Sequence, residues 1–274
     1  MAGQRSITDF MAQLDAASRS ALEATVTVVD KEVVPSVQKM DMGRPTWVRV
    51  ADVVVVFADL KGSTRFNFDL RTNTVARFYE AYMAQLVQIA DCWSPGFIAI
   101  QGDGLFAIFS GDMRYERAFV AGMTMLTFVQ SKLIPALQGR LTEVPPTGLK
   151  IGIASGPVFV KRVGIRARSE PIWAGRPVNW AAKCAQKAEA GQMVVAQDVF
   201  ARFEKNPLIR TNCRCHNYFF GLGGRTSPWD EDYVRMLPGK QANVRCRSDV
   251  WCTQCGDAMA GAILAGQKTW PVGT

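Results

Sequence analysis

Two aspartates stand where strand-like patterns run out into turns. Asp59 follows the apolar run Val53-Val54-Val55-Val56-Phe57-Ala58 and precedes the turn Leu60-Lys61-Gly62-Ser63-Thr64. Asp103 lies in Gln101-Gly102-Asp103-Gly104, between the apolar segments Phe97-Ile98-Ala99-Ile100 and Leu105-Phe106-Ala107-Ile108-Phe109. Carboxylates converging at neighbouring strand ends make a hard oxygen site suited to Mg²⁺ or Mn²⁺. The turn after Asp59 precedes a helix, so the backbone N–H groups of Lys61, Gly62, Ser63 and Thr64 could hold phosphate oxygens. Two cations beside a triphosphate would activate a hydroxyl, polarise the α-phosphate and offset charge on departing pyrophosphate. Taken singly, each aspartate also has a plainer use, capping a helix or filling a turn.

A second constellation lies near the C-terminus. Cys213-Arg214-Cys215-His216, Cys246 and Cys252-Thr253-Gln254-Cys255 hold five of the seven cysteines and the single histidine. This spacing is compatible with a structural Zn²⁺ held by Cys213, Cys215, Cys252 and Cys255, with His216 and Cys246 as substitutes. The competing reading is a set of reduced, partly buried thiols without metal. Cys92 and Cys184 fall in helical patterns and read as core.

The elements that must position these groups follow from periodicity. Residues 6–40 carry a helical stripe through Ile7, Phe10, Met11 and Leu14, continued by Leu22, Val26, Val29 and Val33 until Pro35. This N-terminal segment, 1–48, is expected to pack on the rest of the chain. The run Val53–Phe57 reads as a strand buried on both faces, and Val75, Phe78, Tyr82, Leu86 and Ile89 mark a helix. A glycine-turned hairpin surrounds Asp103. A long helix covers 113–137. Leu149–Ala154 is a strand that turns at Gly156-Pro157, Pro177 opens a further helix, and Met193–Ala196 is a short strand. The order β-α-β-β-α-β plus one αβ unit predicts an α+β, ferredoxin-like sheet over 49–203, with helices on one side. A Cys-rich extension, 204–274, follows.

Composition bounds the function. The chain has 274 residues, 48% of them hydrophobic, enough for one large core. Its longest apolar run is too short for a bilayer, and no export signal is evident, so a cytoplasmic location without membrane contact is expected. The net charge of +8 favours an anionic partner. Most of that surplus lies in 49–203, with 18 basic against 12 acidic residues and no Lys/Arg block, which argues against nucleic acid.

Four segments, read together, resemble the ordered motifs of class III nucleotide cyclases. They are Phe57–Thr64, Gln101–Gly104, Lys150–Val158 and Trp173–Lys183, spread in the right order over roughly residues 49–203. The resemblance implies attack of a ribose 3′-hydroxyl on the α-phosphate of a nucleoside triphosphate, giving a 3′,5′-cyclic nucleotide and pyrophosphate. It implies metal binding by Asp59 and Asp103, with the Leu60 carbonyl as an additional ligand. The family's transition-state pair, an Asn and an Arg four residues on, matches Asn179 and Lys183. That spacing puts both on one helical face, but lysine lacks the arginine fork.

The positions that read a purine in this family hold Ala99 and Ile172, which offer no hydrogen bond to a base. Intact metal aspartates without purine-reading residues resemble the stand-alone bacterial cyclases of the Pycsar antiphage system. The resemblance then implies a pyrimidine cyclase making cyclic UMP from UTP, whose product acts on a separate effector. Cyclic CMP from CTP is the first alternative, and a catalytically silent nucleotide-binding regulator the second. Because such sites join the aspartates of one chain to the Asn pair of another, a head-to-tail homodimer is implied.

Overall fold

A computed structural model of the chain describes residues 6–40, 42, 45–165, 168–203, 206–213, 215, 227–237 and 239–271. Helix α1 (Ile7–Glu23) leads to strand β1 (Thr27–Lys31), which pairs in parallel with the start of β2 (Thr46–Lys61). The helical stripe expected to continue to Val33 is thus broken. The β-branched sequence Thr27-Val28-Val29 satisfies a strand as readily as a helix, and an available edge on β2 decides. Against expectation, α1 buries none of its residues.

The middle of β2 is fully buried, Val53 to Val56 each at 0% exposure, because β2 has neighbours on both edges and helices on both faces. After it come α2 (Ser63–Asp69), α3 (Thr72–Cys92), β3 (Phe97–Gln101), β4 (Gly104–Phe109) and α4 (Arg114–Phe128). One π-helical stretch, Val129–Leu133, carries α4 into α5 (Ile134–Gln138). The stretch Arg114–Gln138 is long and apolar enough to cross a membrane by length and composition alone. Here it packs on the sheet, with Phe119, Met123, Met125 and Leu126 buried, and that burial accounts for its composition.

Strand β5 (Gly148–Ile165) does not turn at Gly156-Pro157; it runs through as one strand of 18 residues. The glycine and proline mark a bulge instead. Gly156 has φ +143°, and opposite it the register in β2 slips by one residue between Val50 and Val53. The slip lies at Asp52, whose carboxylate accepts from Arg114 Nε (3.1 Å) and Tyr115 OH (3.0 Å). Next come β6 (Arg168–Ala174), α6 (Arg176–Lys187), β7 (Gln192–Ala196), α7 (Gln197–Phe203) and α8 (Pro207–Arg210). Strands β8 (Asp230–Leu237) and β9 (Lys240–Arg247) and helix α9 (Gly256–Leu264) complete the fold.

The sheet runs β3-β4-β2-β5-β7-β9-β8, with β1 on β2 and β6 on β5. Its first four strands have the ferredoxin-like order, and β7 joins β5 in parallel as the additional αβ unit. The helices are not confined to one side. On α4, Gly122 lies against Ile151 and Ile153 of β5, whereas the α6 backbone lies against Gly152. Alternate strand residues point to opposite faces, so α4 and α6 sandwich the sheet.

Candidate active site

The acid pair is set by register. Ala58 pairs with Leu105, the last rung between β2 and β4 in this direction, while Asp59, one residue on, pairs with Lys150 on β5. Gly102, at φ +64°, turns the β3–β4 hairpin, and Gly104 lies so near β2 that a Cβ there would come within 3.1 Å of the Ala58 carbonyl oxygen. Asp103, at the hairpin tip, is therefore beside the end of β2 and half-buried. Lys150 Nζ lies 2.5 Å from the Asp59 carboxylate.

Tyr82 of α3 is fully buried nearby, and its hydroxyl has no hydrogen-bond partner among the described residues. Burial pushes its pKa well above the usual phenol value, and the charges of Asp59 and then Asp103 push it the same way. Both carboxylates thus act on one hydroxyl. Two adjoining carboxylates, both half-buried, are a donor set that fits hard divalent cations.

The turn after Asp59 has a single sterically fixed member. Gly62 has φ +79°, and a Cβ there would meet the Pro146 carbonyl oxygen at 2.6 Å. Ser63 and Thr64 open α2, whose Phe66 is buried against Phe78 with ring centroids 4.6 Å apart. Leu60 and Lys61 still belong to β2, and the Lys61 ammonium is ion-paired with Glu189.

Asn179 and Lys183 share one face of α6. With Arg176, Trp180, Met236 and Lys240 they line a cleft of about 520 Å³ between α6 and the β8–β9 hairpin. Neither aspartate lines it. The structure therefore brings Asn179 together with Lys183, and Asp59 with Asp103, but gives the pairs separate settings. Ala99 sits half-buried in β3 opposite Phe106, and Ile172 is exposed in β6 opposite Lys161. Their strands approach through Phe97 and Trp173, with ring centroids 5.0 Å apart. Sequence reasoning gave no role to Lys150, Arg176, Trp180 or Lys240. Lys150 lay inside a quoted motif, but its partner is a matter of strand register.

The cysteine cluster is a built feature. The Sγ atoms of Cys213, Cys215, Cys252 and Cys255 all lie within 4.8 Å of one another, a set able to hold a metal ion. A tetrahedral Zn–S distance of about 2.3 Å requires sulfurs roughly 3.8 Å apart, so little adjustment is needed. Burial opposes ionisation of Cys252. Backbone N–H groups of Gln254 and Cys255, with the neighbouring thiols, outweigh it and hold Cys252 below the usual thiol range. Beside the cluster, Trp251 donates from its backbone to Thr127 Oγ1 (2.9 Å) and from its indole to Thr124 Oγ1 (3.1 Å), fixing the tail to α4. Cys246 is not part of the set; it lies in β9 opposite Val194. His216 falls outside the described residues. Cys184 is buried as expected, but Cys92, the last residue of α3, is exposed.

Comparison with known proteins matches residues 47–223 to the adenylate and guanylate cyclase catalytic domain. The chain is 36% identical over 263 residues to a uridylate cyclase from Micromonospora echinofusca, covering 94% of this chain and 84% of that protein. It is 37% identical over 227 residues to a uridylate cyclase from Propioniciclava tarda, covering 81% and 72%. In fold it is similar to the adenylyl cyclase CyaB from P. aeruginosa, with a TM-score of 0.60 at 18% identity over 74% of this chain and 96% of that one. The ferredoxin-like sheet, the ordered motifs and this near-full-length similarity have one explanation: the chain belongs to the class III nucleotide cyclases, the family of adenylate and guanylate cyclase catalytic domains.

Proposed function

We propose that this chain is a cytoplasmic uridylate cyclase that converts UTP to 3′,5′-cyclic UMP and pyrophosphate. The observation that carries the reading is the similarity, over most of the chain, to two proteins named uridylate cyclases. The apolar side chains at Ala99 and Ile172 agree with it, since neither can hydrogen-bond a purine edge. Asp59, Asp103 and the Leu60 carbonyl would hold two Mn²⁺ or Mg²⁺ ions. When bound, these supply positive charge against the triphosphate and favour loss of the 3′-hydroxyl proton.

The chain's own groups do the rest. Lys61, Gly62, Ser63 and Thr64 present donors to the phosphates, with Lys61 leaving Glu189 to do so. Asn179 orients the ribose, and Lys183 places charge at the α-phosphate. The hydroxyl proton passes to water as the 3′-oxygen bonds to the α-phosphorus. The α–β bridging oxygen leaves with its bonding electron pair as pyrophosphate. Two copies assemble head to tail, the aspartates of one facing Asn179 and Lys183 of the other, consistent with the separate settings of the pairs. The cyclic product acts on a separate effector in antiphage defence, and the Cys213, Cys215, Cys252, Cys255 cluster holds a structural Zn²⁺.

The test is direct. Purified protein is incubated with each of the four nucleoside triphosphates and Mn²⁺, and products are resolved by mass. Cyclic UMP from UTP is expected. A cyclic purine nucleotide, cyclic CMP as the main product, or no cyclic product overturns the reading.

A further inference from the structure

The cleft under α6 holds a residue that the family's Asn-and-basic pair does not include. Arg176, Asn179 and Lys183 are spaced by three and four, so they form one line along the helix, and all three line the cleft. Lys240 reaches it from the start of β9, which makes three cations with no carboxylate among the lining residues. Such a surface is built for an anion with several charges. Arg176 is also pre-arranged. Its guanidinium carbon stands 4.3 Å from the centroid of the Trp180 ring, one turn further along α6, and among the described residues no carboxylate pairs with it. Stacking fixes the plane of the guanidinium and leaves its edge N–H groups free to donate.

That geometry bears on the oddity at Lys183. A lysine ammonium is a point charge, whereas charge developing on two non-bridging oxygens of the α-phosphate is best met by a planar, two-pronged donor. We infer that Arg176 is a further catalytic residue, whose guanidinium grips the α-phosphate oxygens in the transition state and supplies the fork that Lys183 lacks. The inference rests on the cyclase reading above. The step itself is unchanged: the 3′-oxygen bonds to phosphorus, the bridging oxygen departs with its electrons, and Arg176 keeps its protons throughout.

The experiment measures cyclic nucleotide formation from UTP and Mn²⁺ by the full-length protein. It compares wild type, R176A, R176Q, R176K and the double variant R176A/K183R, with N179A as control. R176Q keeps most of the side-chain stem, so it separates loss of charge from any disturbance of α6. R176A and R176Q are expected to lose about 100-fold in kcat with KM within about threefold, and R176K to recover little. R176A/K183R should regain about tenfold over R176A, because the fork is restored one turn beyond Asn179; a merely structural role for Arg176 would not respond to that second change. A kcat within about threefold of wild type in R176Q, or no recovery in the double variant, overturns the inference while leaving the cyclase reading standing. A wild type that makes no cyclic nucleotide overturns both, and a silent N179A beside an active wild type keeps the two questions apart.

Discussion

Asp59 and Lys150 face each other across adjacent antiparallel strands, with Nζ 2.5 Å from a carboxylate oxygen and side-chain exposures of 24% and 14%. An internal cation therefore already sits on a carboxylate that suits a divalent ion. Lys150→Met leaves Asp59 half-buried and uncompensated, which costs about 1–2 kcal/mol, less than breaking a fully buried pair. Added Mn²⁺ should then raise the melting temperature of the variant more than that of wild type. Equal shifts in both would mean that lysine and metal do not share the carboxylate.

Complementation tests the arrangement of two copies. Asp59→Ala and Asn179→Ala should each be inactive alone. Mixed and allowed to exchange subunits, they should regain a substantial fraction of wild-type turnover, because one of the two composite sites is then intact. Absence of any rescue in a mixture shown to contain heterodimers would contradict sites shared between copies.

The tail cysteines make a prediction about thiol chemistry. In the metal-loaded protein, a thiol reagent at neutral pH should modify exposed Cys92 quickly and spare Cys213, Cys215, Cys252 and Cys255. Chelation should release one zinc per chain, open those four thiols to reagent and lower the melting temperature. Thiol titration beside elemental analysis checks this, and zinc-free protein with unchanged stability would refute it.

Stability should also fall in alkali. Burial, then Cys246, then Asp198 push Cys184 to about 12, and burial, then Asp232, opposed by Lys187, with Asp230 adding, push Cys246 to about 11. A raised folded-state pKa contributes stability that is complete below the unfolded thiol value near 8.5 and is lost as pH climbs towards the folded value. Denaturant melts between pH 8 and 11 should show this loss, and Cys184→Ala should flatten it once its own packing cost is subtracted.

Gly152 tests how α6 is seated. A Cβ there would meet the Ala181 carbonyl oxygen at 1.9 Å and the Ala185 nitrogen at 2.4 Å, both backbone atoms that cannot rotate away. Gly152→Ala should cost about 1–3 kcal/mol and lower kcat, since the helix carrying Asn179 must lift. Thermal melts and turnover measured together check it, and a variant matching wild type in both would show a looser seat.

Much of the site's frame was legible because short-range chemistry fixed it. The β3–β4 hairpin needs positive φ at Gly102 and a small residue at Gly104, and the sequence supplies both where the apolar runs stop. Spacing pointed to Cys213, Cys215, Cys252 and Cys255 but left His216 and Cys246 as substitutes, and only the fold groups the four sulfurs. What could not be read depended on partners distant in sequence. Thr27-Val28-Val29 became a strand because β2 offered an edge, and Gly156-Pro157 became a bulge because Asp52 sits in the slipped register opposite. The ion pair of Asp59 with Lys150 and the stacking of Arg176 on Trp180 likewise needed the assembled sheet and helix. The β8–β9 pair was within reach, since Pro238-Gly239 separates two stretches that favour strands.

The way β9 lies along β7 has a consequence for dissecting this protein. Gln192 to Val195 pair with β5 on one side, and Met193 to Ala196 pair with Val244 to Arg247 on the other. Trimming the chain after α7 would strip that second side. A row of unsatisfied amide and carbonyl groups on an apolar strand would be left facing water, a template that recruits other strands. Fragments cut at that point should clump, and their silence in an assay would say nothing about chemistry.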